Sequence, residues 1–93
     1  MNICNNFNYD KFLPMNSGVE AGETAIKLAR KWGYERKNIN KNSAVNLFCK
    51  NNFWGRTISA ISSSNDFKSY NNFGPFCNNM KLVDYNNIKC IEN

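Results

Sequence analysis

Histidine is absent from the 93-residue chain. Its absence excludes a Ser–His or Cys–His catalytic pair and any His-ligated metal centre. Long hydrophobic runs are missing too. The longest are a few residues, against the ~20 that a membrane-crossing helix needs, so no membrane partner is expected. The opening Met1-Asn2-Ile3-Cys4-Asn5-Asn6 has neither a basic start nor an apolar stretch, the marks of a secretory signal. Cys4, Cys49, Cys77 and Cys90 form no C-x-x-C pair, and their irregular spacing gives no metal-ligand pattern. They read as reduced thiols in a cytosol-like compartment, and a cytoplasmic location is expected.

Charge is unbalanced but scattered. Twelve Lys and Arg against seven Asp and Glu give a net +5. The one cluster, Lys27, Arg30, Lys31, Arg36, Lys37 and Lys41, falls around the end of a predicted helix, where cations complement the dipole. No nucleic-acid motif accompanies it, so a nucleic-acid partner is not expected. Roughly a fifth of the chain is Asn, a residue suited to turns and caps and poorly suited to strand or helix interiors. A coding sequence rich in A and T is one source of that load. At this length the chain is one small unit with no internal domain boundary, burying only about 60–65% of its unfolded surface.

The first ten residues are polar. Residues 11–16 have an apolar, β-compatible start and predict a short strand running into a turn. Ser17-Gly18-Val19-Glu20 then reads as a capping box, with Glu20 reaching back to the cap amide. Ala21, Ala25, Leu28, Ala29 and Trp32 fall on one helical face, Glu23 and Lys27 form an i, i+4 pair, and Gly33 supplies a stop. Residues 44–49 predict a strand weakened by Asn46, 51–55 a loop, and 56–61 a short helix ended by a Ser-rich run. Residues 73–76 read as an apolar turn and 80–83 as a third strand. This alternation predicts an α/β fold.

Two constellations could carry chemistry. In Asn16-Ser17-Gly18-Val19-Glu20-Ala21-Gly22-Glu23-Thr24, a turn opens a capped helix whose free amides and dipole suit a phosphate or carboxylate. The alternative is a helix start whose amides are satisfied by Ser17 and Glu20. In Asn52-Phe53-Trp54-Gly55-Arg56-Thr57, two aromatics can wall a flat ring beside an Arg that forks a carboxylate. The alternative is core packing for Phe53 and Trp54 and a surface ion pair for Arg56.

These same residues resemble the ornithine aminotransferase branch of the class III pyridoxal-phosphate (PLP) aminotransferases. The likeness runs through Phe12-Leu13-Pro14-Met15-Asn16-Ser17-Gly18-Val19-Glu20-Ala21-Gly22-Glu23-Thr24-Ala25 and Lys27-Leu28-Ala29-Arg30-Lys31-Trp32-Gly33-Tyr34. It continues through residues 52–57, Ser59-Ala60-Ile61-Ser62-Ser63-Ser64 and Phe73-Gly74-Pro75-Phe76. Trp54 narrows it to that branch, since more distant relatives carry His there. The resemblance implies a partial large domain of the PLP-dependent transferase fold (fold type I), with residues 1–93 a fragment of the PLP-binding large domain. An incomplete, mostly parallel sheet with flanking helices follows. Ser17, Gly18 and Val19 would cradle the PLP phosphate, Phe53 would stack on the pyridine ring, Trp54 would line the site, and Arg56 would bind a substrate carboxylate. The implied reaction moves the δ-amino group of ornithine to 2-oxoglutarate, in a homodimer, with PLP as electron sink. A mitochondrial matrix location is open to a full-length parent.

The family's Schiff-base Lys lies in a G-K-x-x-x-G-G segment and its pyridine-nitrogen Asp in D-E-x-Q-x-G. Neither occurs here, and the chain has no Gln. The resemblance therefore implies no catalytic residue and no turnover by these 93 residues alone. The alternative is a non-catalytic remnant that serves as an anion-binding or interaction module. Asn46 stands where an apolar strand residue is expected, and Asn51 where the family has Gly.

Overall fold

Ser17 sets the start of the longest element. The structure, a computed structural model, describes residues 6–92. Helix α1 spans Gly18–Arg36, and Ser17, in extended conformation, accepts the Glu20 amide on its Oγ. The sequence predicts that the Glu20 carboxylate reaches the cap amide, and it does not. It accepts a hydrogen bond from Ser17 Oγ at 3.1 Å, which closes the box through side chains. Glu23, expected beside Lys27, instead accepts from Thr57 Oγ1 at 3.3 Å.

Gly33 does not end the helix. It is buried in the last turn, and a Cβ there would lie 3.0 Å from Ile39 Cδ1, so it makes room for that side chain. The turn comes at Asn38, in the left-handed region (φ 57°), and the Lys37 and Ile39 amides both return to the Gly33 carbonyl. The packed face also differs from expectation. The inward side carries Val19, Gly22, Ile26 and Gly33, whereas Leu28 and Trp32 are 67% and 53% exposed, and Ala21, Ala25 and Ala29 are exposed with them. Glycines make holes rather than knobs, so apolar periodicity does not register them.

Strand β1 (Asn46–Cys49) pairs in parallel with β2 (Met80–Val83), Asn46 opposite Met80 and Cys49 opposite Val83. The Asn46 amide to the Asn79 carbonyl (3.0 Å) and the Lys50 amide to the Val83 carbonyl (2.9 Å) extend the ladder at both ends. Parallel strands need a crossover. Here it carries α2 (Ile58–Ser62), capped by Thr57, and α3 (Phe67–Tyr70), capped by Asp66; α4 (Ile88–Glu92) follows β2. The sequence reading missed α3 and α4, which at four and five residues are too short to show a period. Residues 11–15 form no strand: none of the described strands lies beside them, and Pro14 has no amide to donate. Residues 6 and 7 are helical, and Met1–Asn5 lie outside the described residues.

The buried core is small: Ala44, Ala60, Ile61, Val83 and the hydroxyl-bearing Ser63. A folded monomer of 10.7 kDa exposes about 5,500 Å² by size scaling, and this chain exposes 7834 Å². Large apolar side chains such as Leu13, Leu28 and Trp32 are among the exposed residues.

Asparagine has a structural role in the turns. Among the described residues every non-glycine at positive φ is Asn: 8, 38, 42, 51, 72, 79 and 86. Asn tolerates the left-handed region because its short carboxamide bonds locally. Asn51, at φ 63°, adopts there a conformation that suits the family's Gly. Asn46 is the exception, with its Oδ1 buried and lacking a partner. Asn46→Val should raise the unfolding free energy measured in urea by about 1–3 kcal/mol. Asn38→Ala should lower it by about 1 kcal/mol while Asn38→Gly holds within about half of that.

Candidate functional site

The loop between β1 and α2 is fastened to α1 by complementary shape. Gly55 sits at φ +153°, and a Cβ on it would meet Val19 Cγ2 at 2.4 Å. At Gly22 a Cβ would meet Trp54 Cε3 at 2.5 Å. Two glycines thus let Val19 and Trp54 approach backbone directly. Thr57 Oγ1, which caps α2 by accepting the Ala60 amide at 3.2 Å, donates to Glu23 and adds a polar tie.

Trp54 is the anchor of the loop. Its ring lies parallel to Phe48 of β1, centroids 6.0 Å apart, and its Nε1 donates to Ser63 Oγ at 2.7 Å. Ser63, 1% exposed, donates in turn to the Ala60 carbonyl at 2.9 Å. Asn52 Nδ2 donates to the Cys49 and Ser63 carbonyls, each at 2.7 Å. Asn51 and Asn65 exchange bonds, backbone amide to Oδ1 at 2.8 Å and Nδ2 to Oδ1 at 3.3 Å. The loop is held at both ends and in its middle.

This scaffold separates the adjacent aromatics. Trp54 turns inward, its ring filling the space left by Gly22. Phe53 turns outward, 74% exposed. Together with Arg56, Ile58, Ile61, Lys68, Ser69 and Phe73 it lines a cavity of about 380 Å³, within the size range of small-ligand sites. Arg56 is exposed and makes no ion pair among the described residues, against the surface-pair alternative. Lys68 and the Phe73 wall were missed by sequence reading; they lie a dozen or more residues beyond Arg56 and reach its cavity only through the crossover.

At the helix start, the Glu20 amide goes to Ser17 Oγ (3.3 Å) and the Ala21 amide to the Ser17 carbonyl (3.1 Å). The amides of Gly18 and Val19 have no acceptor among the described residues, as the geometry of a first turn requires. A Cβ on Gly18 would meet nothing within 4 Å. Val19 is also the residue pressed on Gly55, so the free amides and the aromatic loop form one neighbourhood. Three members of the basic cluster are engaged within the chain: Lys31 pairs with Glu35 at 3.3 Å, Lys37 lies over the Trp32 ring, and Arg30 donates to the Asn78 carbonyl. Cys49 and Cys77 are free thiols; Cys4 and the Cys90 side chain lie outside the described structure.

A capped helix start beside an aromatic–Arg loop, on an α/β scaffold with a parallel sheet, agrees with the family comparison. Residues 1–93 match the family described as aminotransferase class-III, and the chain belongs to that family. Within it the likeness is to ornithine aminotransferases. The chain is 58% identical over 86 residues to the mitochondrial ornithine aminotransferase of Drosophila ananassae, which covers 92% of this chain and 20% of that protein. Against the mitochondrial enzyme of Rattus norvegicus it is 57% identical, with the same coverage. The crystal structure of the Toxoplasma gondii ornithine aminotransferase superposes with a TM-score of 0.92 at 52% identity, over 97% of this chain and 21% of that one. Ornithine delta-aminotransferase of Plasmodium falciparum gives 0.63 at 42%, over 97% and 18%. Another structure of the Toxoplasma enzyme has partial occupancy of PLP at its active site. The chain spans about a fifth of the length of these relatives. No helix among the described residues is long and apolar enough to cross a membrane.

Because the loop's position rests on a few close contacts, single changes should release it. Ser63→Ala leaves the Trp54 indole without its acceptor and should cost about 1–3 kcal/mol in urea denaturation. Gly55→Ala forces both backbone strain and the Val19 overlap, and should cost at least about 2 kcal/mol.

Proposed function

We propose that this chain is the phosphate-binding and ring-stacking part of the large domain of a PLP-dependent ornithine aminotransferase. The observation that carries this reading is the docking of the Trp54 loop on the first turn of α1. It brings two acceptor-free amides and an outward aromatic ring into one neighbourhood, with Arg56 on the same loop. Ser17, Gly18 and Val19 hold the phosphate, with the Gly18 and Val19 amides donating and the helix dipole favouring the charge. Phe53 offers its exposed face to the pyridine ring. Trp54 acts from behind, fixing the loop that presents Phe53. Arg56 binds a carboxylate of the amino-acid or 2-oxo-acid substrate in bidentate fashion.

When bound, PLP supplies the electron sink for moving the δ-amino group of ornithine to 2-oxoglutarate. The chain's own part is binding and orientation. It carries no segment that matches the family's Schiff-base Lys, so these residues alone do not turn over. The uncovered stripe of Leu28 and Trp32 and the large exposed surface support a place inside a larger domain of a homodimeric enzyme. The naming of the fly and rat relatives as mitochondrial supports the matrix as the parent's compartment.

Gly18→Pro tests the phosphate cradle with little disturbance. Pro fits the first helical position, the extended Ser17 (φ −149°, ψ 166°) suits the residue before a Pro, and only an amide donor is lost. The change should weaken pyridoxal 5′-phosphate binding about tenfold by absorbance titration while the helical circular dichroism holds. Borohydride treatment of the loaded chain should label no single Lys. Equal affinity for Gly18→Pro would sink the cradle; one specifically labelled Lys would sink the non-catalytic reading.

A further inference from the structure

Two of the chain's asparagines precede a small hydroxyl residue, Asn16 before Ser17 and Asn42 before Ser43, and none precedes glycine. A small follower leaves the peptide nitrogen open to attack the asparagine carboxamide, the reaction that makes Asn a thermolabile residue. The structure separates the two pairs. The Ser43 amide donates to the Asn40 carbonyl at 3.1 Å, and the Asn42 carbonyl accepts from Asn79 Nδ2 at 3.2 Å. The Ser17 amide has no acceptor among the described residues. Asn16 is exposed, and neither its main chain nor its carboxamide is hydrogen-bonded among them.

The way the cap closes produces that freedom. In a reciprocal capping box Glu20 would accept the Ser17 amide. Here the Glu20 carboxylate takes the Ser17 hydroxyl instead, at 3.1 Å, and the amide is left over. It lies at the positive end of α1, which favours negative charge on the amide nitrogen and on the carboxamide oxygen as a ring closes. The reacting atoms belong to neighbouring residues, so rotation about the bonds of Asn16 itself brings them together.

We infer that Asn16 is a spontaneous modification site whose deamidation weakens anion binding at the start of α1. The Ser17 amide nitrogen gives up its proton to solvent and bonds to the Asn16 carboxamide carbon. The carboxamide nitrogen takes a proton and leaves as ammonia, forming a cyclic succinimide. Water then opens the ring at one carbonyl to give aspartate, or at the other to give isoaspartate. One water is consumed, one ammonia is released, and nothing is oxidised or reduced. Either product places a carboxylate beside the N-cap, where it competes with a bound phosphate for the positive end of the helix. Isoaspartate also adds a methylene to the main chain before Ser17 and so displaces the cap. The effect on anion binding rests on the reading of the Gly18 and Val19 amides as a phosphate cradle; the modification itself does not.

The test ages the chain at neutral pH and digests it with trypsin. Cleavage after Lys11 and Lys27 gives residues 12–27, in which Asn16 is the only Asn, while Asn42 falls in residues 42–50. The 12–27 peptide should gain about 1 Da well before the 42–50 peptide does, and should become a substrate for isoaspartate methylation. By absorbance titration the aged chain should bind pyridoxal 5′-phosphate about tenfold more weakly than the fresh chain, and Asn16→Asp about threefold more weakly. Asn16→Gln, whose longer side chain closes a ring slowly, should keep both its mass and its affinity on ageing. A 12–27 peptide that holds its mass, or gains it after 42–50, overturns the inference. Equal affinity of aged and fresh chain also overturns it when the 12–27 peptide has gained mass and Gly18→Pro still weakens binding. Gly18→Pro binding as tightly as the native chain overturns the cradle reading and the effect on anion binding with it, while the peptide masses still decide the modification.

Discussion

The rest of the structure depends on the insertion of Trp54 between Gly22 of α1 and Phe48 of β1, with its indole nitrogen on buried Ser63. This one side chain touches the long helix, the first strand and the end of α2. With a core of four small or aliphatic residues and one serine, few other contacts join these elements. The indole contributes a large apolar area, and its hydrogen bond satisfies a hydroxyl that would be costly to bury alone. Everything said of the site follows from that insertion. Phe53 points outward because Trp54, its neighbour in an extended loop, points inward.

Glycine and asparagine divide the backbone work. Gly22 and Gly55 are places where a partner side chain comes too close for a Cβ, and at Gly33 the end of Ile39 leaves one little room. The asparagines take the left-handed turns, seven of them among the described residues, and free the chain from needing glycine there. A composition that looks merely biased is thereby compatible with an ordered α/β unit. Asn46 marks where the bias does harm: it puts an unpaired carboxamide in the sheet.

Legibility in the sequence followed the range of the interactions. The Ser17 cap and strand β2 at 80–83 were plain, because a cap bonds three residues on and a strand shows in a short β-favouring run. The capped helix start and the aromatic–Arg loop were legible as motifs. The structure bears on their alternatives unevenly: two first-turn amides lack acceptors and Arg56 lacks an ion pair among the described residues, whereas Trp54 packs inward as its core-packing alternative expects. The strand expected at 11–16 and the stop at Gly33 failed for a common reason. Each was inferred from local residue type, while pairing and packing are decided by neighbours distant in sequence.

By itself, then, the sequence determined the family, the Ser17 helix cap, the α/β class and the residue types available for anion and ring binding. Hydrogen bonds across three or four residues and motifs in a fixed order suffice for that. Only tertiary structure decided which of two stripes on α1 packs inward, which of two adjacent aromatics turns outward, and that Lys68 shares a cavity with Arg56. Periodicity marks a face without naming its partner, and a cavity is made by elements that meet only after the crossover has closed.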